Sequence, residues 1–231
     1  MKTALALVLA LLAPAAAFAV PNDIAAEYRL SVTGLTIGHV SETYSRKGDT
    51  YAIRSVARSD GPLKLFLDDQ LTLQSSGRVV ATGLQPLEFA QRRANTSKGA
   101  VQATFDWDRG VMHSESGGST SDVPLPGETQ DRISVMYQFM NLKPGSRTVE
   151  MHMSNGRKVE LYIYRFVDEQ ELQTPAGRFD TLHYERVTSN AGESKAQVWL
   201  AKDRFNFPVR VVFDDPKGLR VEQVLVGLEA H

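Results

Sequence analysis

The chain has 231 residues, of which 42% are hydrophobic and 23% are charged, and these proportions exclude intrinsic disorder as its main state. Its 17 glycines and 10 prolines follow no regular period, which excludes a collagen-like protein. The 26 basic and 27 acidic residues give a formal net charge of −1, so the basic excess that nucleic-acid binding requires is absent. We therefore expect a globular protein that does not bind nucleic acid.

The N-terminal residues 1–19 have the composition of a signal peptide. Lys2 precedes an apolar run over residues 4–12, and Ala17 and Ala19 give the A-x-A pattern at which signal peptidase cleaves. The run is shorter than the roughly 20 apolar residues that cross a bilayer. We expect export to the bacterial periplasm, cleavage after Ala19 and no transmembrane segment in the mature protein.

The chain contains no cysteine. A lipid anchor on a mature N-terminal cysteine, disulfides, thiolate zinc sites and cysteine nucleophiles are therefore not expected. An exported domain without disulfides must be stabilised by its hydrophobic core, and a chain of this length buries enough surface to form one.

From Glu27 onward, apolar and polar residues alternate with the period of two that is typical of β-strands. In the first half, strands are predicted over residues 28–32, 40–47, 51–54 and 101–107. Gly-containing turns, such as Gly48-Asp49, separate them. Short strands joined by such turns predict an antiparallel meander.

Two places have a helical pattern. Asp131 is the predicted N-cap of a short helix near residues 131–142, and residues 62–69 are predicted to form one further helical turn. The apolar residues of the first helix recur at i, i+3, i+4 and i+7, and they are Ile133, Met136, Tyr137 and Met140.

The second half repeats the alternation more strongly. A strand over residues 149–153 leads into Asn155-Gly156, a preferred hairpin turn, and residues 158–168 form the returning strand. Further strands are predicted over residues 178–187, 196–200, 207–213 and 219–228.

The predicted fold class is mainly β, with an antiparallel meander that forms a curved sheet, a sandwich or a partly open barrel, and one short helix. Residues 20–231 form either a single β-rich domain or two lobes, 27–113 and 131–229. In both cases the Gly/Pro-rich segment 114–130 is the predicted linker.

The predicted strand 158–168 is apolar on both faces, which are formed by Val159, Leu161 and Ile163 and by Tyr162, Tyr164 and Phe166. A half-solvated strand would be polar on one side, so we expect both faces to be covered. Two interpretations stay open. The strand lies between a second sheet and a helix, or its aromatic face lines a groove that binds an apolar ligand.

The sequence contains no catalytic or metal-binding motif that we recognise. It lacks G-x-S-x-G, the P-loop and G-x-G-x-x-G, and its five histidines do not have metal-ligand spacing. His152 and His183 lie in strands that could be neighbours, and we interpret them as part of an exposed polar face. Adjacent acids such as Asp214-Asp215 lie at predicted turns, where such residues commonly form the turn. We predict no catalytic residue, no metal and no cofactor.

Several short segments of the chain, taken in their order, are typical of one protein family. They are the strand pair 28–44 with Gly34 and Gly38, Tyr51-Ala52-Ile53, Asp131-Arg132-Ile133-Ser134, Leu142-Lys143-Pro144-Gly145, residues 172–179, Trp199 and Phe207-Pro208-Val209-Arg210. In this order they resemble the exported bacterial family known as domain of unknown function 3108, over most of the mature chain. The resemblance implies an envelope-localised, β-rich protein and no particular reaction.

Three functions are compatible with these observations. The favoured one is a non-catalytic periplasmic binding or carrier module for an apolar or amphipathic envelope molecule such as a lipid, with Tyr162, Tyr164 and Phe166 as ligand-binding residues and the helix as a lid. The alternative is a structural or assembly factor that binds another envelope protein through segment 114–130. A hydrolase with spatially assembled carboxylates is the least favoured.

Overall fold

The computed structural model describes residues 20–60, 70–94, 96–190 and 192–231. In these ranges fifteen strands form one continuous sheet. The strands are β1 (Asp23–Val32), β2 (Leu35–Lys47), β3 (Thr50–Ser59), β4 (Leu71–Val80), β5 (Gly83–Arg93), β6 (Thr96–Asp106), β7 (Val111–Ser116), β8 (Ser119–Pro124), β9 (Gln130–Asp131), β10 (Thr148–Ser154), β11 (Val159–Thr174), β12 (Gly177–Arg186), β13 (Lys195–Ala201), β14 (Phe207–Asp214) and β15 (Arg220–Ala230). The predicted signal peptide and the predicted helical turn at residues 62–69 lie outside the described residues.

The two ends of the chain meet in the middle of the sheet. Strand β1 pairs antiparallel with β2 on one side and with β15 on the other. Strands β2 to β8 follow in order toward one edge, and β14 to β10 follow in reverse order toward the other, where β9 pairs with β10 in parallel. The predicted mainly β, antiparallel fold is confirmed. The edge strands β8 and β9 form no ladder with each other in the described residues, so the sheet is not closed.

Side chains connect the two ends of the sheet across this seam. Ser114 Oγ on β7 donates a 2.6 Å hydrogen bond to the carbonyl oxygen of Gly156, in the turn between β10 and β11. Arg157 Nε in the same turn donates to Ser116 Oγ at 2.7 Å. A Cβ added at Gly156 would lie 2.5 Å from Val101 Cγ1, so this turn fits against β6 only because the residue is glycine. The sheet therefore curves until its ends are in contact.

A short helical segment packs inside this curve. It consists of α1 (Ser134–Gln138) and a 3-10 turn (Phe139–Asn141), hereafter helical segment 134–141. Asp131 Oδ1 accepts hydrogen bonds from the backbone N–H groups of Ile133 and Ser134, and Ser134 Oγ accepts one from the N–H of Asp131. These reciprocal hydrogen bonds precede the helix, whose N-cap is Ile133, two residues after the predicted N-cap Asp131. The predicted single short helix is confirmed, and none of the described helices is long and apolar enough to cross a membrane.

The hydrophobic core is divided by the helical segment into two sides. On the Tyr137 side, Tyr137 stacks on Tyr44 with ring centroids 5.3 Å apart and meets Phe207 edge-on at 5.9 Å. On the Phe139 side, Phe139 meets Tyr164 edge-on at 5.3 Å and lies 6.4 Å from Tyr184. Because the segment contacts strands from both halves of the sheet, it must lie within the curve rather than on its outer surface.

The segment predicted as a linker is mostly part of the sheet. Residues 114–130 contain the end of β7, all of β8 and the start of β9, and Gly117 and Gly118 form the turn between β7 and β8 with φ angles of 62° and 79°. The segment is partly built into the sheet, because two adjacent glycines with positive φ form a tight hairpin here, and its role as a linker between lobes stays a prediction. Whether residues 20–231 act as one domain or as two lobes stays a prediction.

Candidate functional site

The three residues predicted to bind a ligand lie on one face of β11 and are named here the aromatic wall: Tyr162, Tyr164 and Phe166. Tyr164 is buried under the ring of Phe139, whereas Tyr162 and Phe166 are half-buried. The ring of Phe166 also meets that of Tyr184 edge-on at 5.7 Å. The structure thus brings all three residues together and covers them partly with the helical segment. Their role in ligand binding stays a prediction.

The opposite face of β11 is not covered. Leu161 is 49% exposed and Val167 is 45% exposed, so the expectation that both faces are buried is wrong. Leu161 pairs across the ladder with His152, which also reaches solvent. Single exposed apolar side chains of this kind are common on protein surfaces. On this opposite face, Val159 packs against the core cluster around Phe89 and Val101, whereas Leu161 and Val167 reach solvent.

Two arginines cover the ends of the aromatic wall. The guanidinium of Arg186 lies 3.7 Å from the ring centroid of Tyr162, and that of Arg147 lies 4.5 Å from the centroid of Phe166. At these distances a cation is attracted to the face of an aromatic ring. Burial raises the pKa of the Tyr162 hydroxyl, and the positive charge of Arg186 counteracts this increase. The apolar wall therefore ends in positive charge at both of its outer rings.

A buried polar network holds the Tyr137 side of the helical segment. Asp131 is fully buried, and Ser75 Oγ donates a 2.5 Å hydrogen bond to its Oδ2. Ser75 Oγ also lies 3.0 Å from the hydroxyl of Tyr51. Burial raises the pKa of Asp131 to about 6, although hydrogen bonds from Ser75 and from Ile133 and Ser134 favour its charged form. One oxygen of this carboxylate fixes the start of the helix, and the other attaches it to Ser75 on β4.

Glu42 is a second inward-facing acid, which the sequence interpretation missed. Its carboxylate accepts hydrogen bonds from Ser55 Oγ at 2.9 Å and from the Tyr137 hydroxyl at 3.3 Å. Burial raises its pKa, and these two hydrogen bonds act in the opposite direction. The signal that could have found it is the period of two, which places Glu42 on the same face as Val40 and Tyr44.

His183 is buried, which corrects the interpretation of the histidines. Its ring stacks on that of Trp199 with centroids 4.3 Å apart, and the guanidinium of Arg210 lies 4.5 Å from the Trp199 ring centroid. His152 lies on β10 and His183 on β12, with β11 between them, so they are not on neighbouring strands. Among the described residues, no group of three His, Asp or Glu side chains is arranged to hold a metal ion.

The outer face of the first half carries a polar groove of about 470 Å³ that the sequence did not indicate. Its lining comes from strands β2 to β6 and includes Arg54, Gln74, Glu88 and Arg92. Small residues such as Ala90 lie between these longer side chains. The groove differs from the aromatic wall in being polar and open to solvent.

A curved, incompletely closed antiparallel sheet with a helical segment packed inside it defines a barrel-like β protein. Within this class, the chain matches the model of DUF3108, a family of proteins of unknown function, over residues 27–224. The chain belongs to this family, which confirms the resemblance seen in its motifs. No curated protein matches the chain.

Several solved bacterial structures are similar to the chain. A beta-barrel-like protein of the domain of unknown function DUF1849 from Brucella abortus has a TM-score of 0.58 at 14% identity, with 92% of this chain and 99% of that one covered. A Bacteroides fragilis protein named as exported, with a YmcC-like fold, has a TM-score of 0.35 at 12% identity, with 90% and 96% covered. At this identity the Brucella structure shows the fold alone.

Proposed function

We propose that the protein is an exported, non-catalytic binding or carrier module for an amphipathic envelope molecule whose apolar part lies on the aromatic wall. Export is supported by the signal-peptide pattern of residues 1–19, which predicts a periplasmic protein cleaved after Ala19. The barrel-like fold supports binding, because sheets of this kind enclose an interior that can hold a small ligand.

One observation carries the proposal: the two sides of helical segment 134–141 are attached in different ways. On the Tyr137 side, Gln138 Oε1 accepts a hydrogen bond from the N–H of Leu84, and Gln138 Nε2 donates to the carbonyl oxygen of Thr82. On the Phe139 side, the described residues contribute ring and aliphatic contacts, with no hydrogen bond from segment 134–141 to β10–β15.

This difference determines which contacts a ligand could replace. Apolar contacts are non-directional, so an acyl chain can take the place of the Phe139 ring without leaving a buried polar group unpaired. Replacing the contacts of Gln138 or Asp131 would leave buried donors and acceptors without partners. We therefore expect the ligand to enter on the Phe139 side, between the helical segment and the aromatic wall, with the segment acting as a lid.

The proposal is tested by ligand capture. The mature protein is purified from periplasm without detergent and measured by native mass spectrometry, where we expect an adduct of lipid mass. Binding of dodecyl maltoside is then titrated for the wild type and for the double variant Tyr162→Ser, Phe166→Ser, which should bind about tenfold more weakly because it loses two apolar rings.

The matched control is the double variant Leu161→Ser, Val167→Ser, which changes two exposed apolar residues of the same strand. It should bind dodecyl maltoside as the wild type does. An adduct-free protein without measurable affinity for dodecyl maltoside would contradict the proposal. Equal loss of affinity in both double variants would show that the aromatic wall is not the binding face.

A further inference from the structure

Two arginines lie at the seam, where the pairing of β9 with β10 brings Arg132 beside the turn that contains Arg157. Arg132 directly follows β9, and Arg157 lies in the turn between β10 and β11. Arg132 Nη1 donates a 2.7 Å hydrogen bond to Gln91 Oε1, and Arg157 Nε donates to Ser116 Oγ at the same distance. Both partners are neutral. In the part of the chain that the structure describes, neither guanidinium forms an ion pair with a carboxylate.

The positive charge at this place is not balanced by a neighbouring acid. The packing around Arg132 lowers the pKa of its guanidinium, and repulsion from Arg157 lowers that pKa further. Strand β10 lies between β9, which Arg132 follows, and β11, which carries Tyr162, so the pair and the aromatic wall belong to the same end of the sheet. Two other cations near the wall are compensated: Lys158 pairs with Glu160 at 2.8 Å, and Arg186 lies 3.5 Å from Glu193. Two like charges without a carboxylate partner favour the binding of an anion.

The backbone positions of both arginines are fixed before any ligand binds. Arg132 lies within the capping arrangement of Asp131 and Ser134. The N–H of Arg157 donates to Asn155 Oδ1 at 2.9 Å, and the adjacent Gly156 is held against Val101. A site built on fixed positions loses little conformational entropy when it binds. Guanidinium groups also bind carboxylate and phosphate oxygens with good geometry.

We infer that Arg132 and Arg157 bind the anionic head group, a carboxylate or a phosphate, of the amphiphile whose apolar chain lies on the aromatic wall. The inference rests on the proposed function and adds to it the charge and the orientation of the ligand. The head lies at the seam, and the chain runs from Tyr162 toward Phe166. The ligand class is therefore a lipid with an anionic head group, either a single-chain carboxylate or a phosphate-bearing lipid.

The experiment compares amphiphiles with one chain length and different heads. The mature protein is titrated calorimetrically, below micelle formation, with dodecyl phosphate, dodecanoate, dodecyl maltoside and dodecyltrimethylammonium. We expect the two anionic amphiphiles to bind about tenfold more tightly than the maltoside, and the cationic one more weakly. The relative affinity of dodecyl phosphate and dodecanoate distinguishes a phosphate head from a carboxylate head.

The variant Arg132→Gln, Arg157→Gln should lose the preference for anionic heads while it keeps its affinity for dodecyl maltoside. The control Arg29→Gln, Arg78→Gln removes the same charge from exposed positions on β1 and β4 and should keep the preference. Arg157→Gln alone changes an exposed turn residue and provides the same readout if the double variant does not fold.

Each outcome is informative. Equal binding of dodecyl phosphate and dodecyl maltoside by the wild type, or a preference that survives Arg132→Gln, Arg157→Gln, would overturn the anion site and leave the proposed function standing. If no dodecyl amphiphile binds but inorganic phosphate binds in a manner that depends on Arg132, the proposed function fails and the anion site stands. If neither amphiphiles nor phosphate bind, both fail.

Discussion

The two sides of helical segment 134–141 differ in the kind of contact that holds them. The Tyr137 side adds directional contacts to its packed rings: Asp131, Gln138 and the Tyr137 hydroxyl each form hydrogen bonds with strands β2 to β5 or their connecting turns. The Phe139 side consists of packed rings and aliphatic groups from β10 to β14. The hydrogen bonds of the Tyr137 side determine where the segment lies, whereas the Phe139 side contributes burial without directional constraint.

The difference has an energetic consequence for opening the protein. Removing a partner from a buried hydrogen bond costs about 1–3 kcal/mol, because the remaining group is left unpaired. Exposing apolar surface to water costs a free energy of about 25 cal/mol per Å². A ligand that covers the same surface removes this cost. The Phe139 side can therefore exchange its contacts for those of a ligand, and the Tyr137 side can act as the fixed attachment.

The largest effect is expected for Phe139→Ala. Phe139 is 1% exposed and contacts Tyr164 and Tyr184, so truncation should lower the free energy of unfolding by about 3–5 kcal/mol. Urea-induced unfolding measures this loss. If the ring occupies the place of an acyl chain, saturating dodecyl phosphate should stabilise this variant more than the wild type. A loss below about 1 kcal/mol would mean that the Phe139 side does not pack as described.

The second effect concerns the charge of Asp131. Its pKa is about 6 in the folded protein and near its ordinary value of 3.8 when unfolded. The folded state thus holds the proton more tightly, so this group's contribution to stability is greatest at low pH. That contribution should fall by about 2–3 kcal/mol as the pH rises from about 4 to about 6.

Asp131→Asn tests this assignment, because the amide keeps an acceptor for the N–H groups of Ile133 and Ser134 and is never charged. Urea unfolding across this pH range should show that the wild type loses stability relative to Asp131→Asn as the pH rises. The exposed turn residue Asp108 provides the control variant Asp108→Asn. A constant difference between the wild type and Asp131→Asn would refute the role of Asp131.

Gln138→Ala should have the third largest effect. It removes the acceptor of the buried Leu84 N–H and the donor to the Thr82 carbonyl, so we expect a loss of about 1–3 kcal/mol by urea unfolding. In contrast to Phe139→Ala, this loss should not be recovered by adding dodecyl phosphate, because no ligand replaces a hydrogen bond on the Tyr137 side. If dodecyl phosphate restored the stability of both Phe139→Ala and Gln138→Ala, the two sides would not differ as proposed.

The sequence predicted most of the strands and the helix because both depend on local spacing. Alternation with a period of two places Tyr28, Tyr44 and Ile53 in the core, and Tyr137 lies on the predicted buried face of the helix. The pairing of β1 with β15 could not be predicted, since it joins strands about 200 residues apart and no local pattern encodes such a contact. Strands β4, β5 and β8 were not predicted. The buried positions of β4 are Ser75 and Gly77 rather than large apolar residues, and β8 is an exposed edge strand without alternation.

The candidate site was only partly predictable. The aromatic residues of β11 were found from their spacing, but the exposure of Leu161 depends on what lies above the sheet and not on the strand itself. The burial of His183 comes from its cross-strand stacking on Trp199, which local sequence does not specify. Arg132 and Arg157 lie 25 positions apart in sequence and are brought together by the parallel pairing of β9 with β10, which no local pattern specifies.

The smallest effect is expected for Tyr137→Phe, which separates the polar from the apolar contribution of one residue. The ring keeps its contacts with Tyr44 and Phe207, while the hydrogen bond from the hydroxyl to Glu42 is lost. Glu42 retains the bond from Ser55, so the loss should be about 0.5–1.5 kcal/mol by urea unfolding. The pKa of Glu42 should also rise further, because one of the two hydrogen bonds that favour its charged form is removed. A loss as large as that of Phe139→Ala would show that the hydroxyl, rather than the packing of the two sides, determines the position of the helical segment.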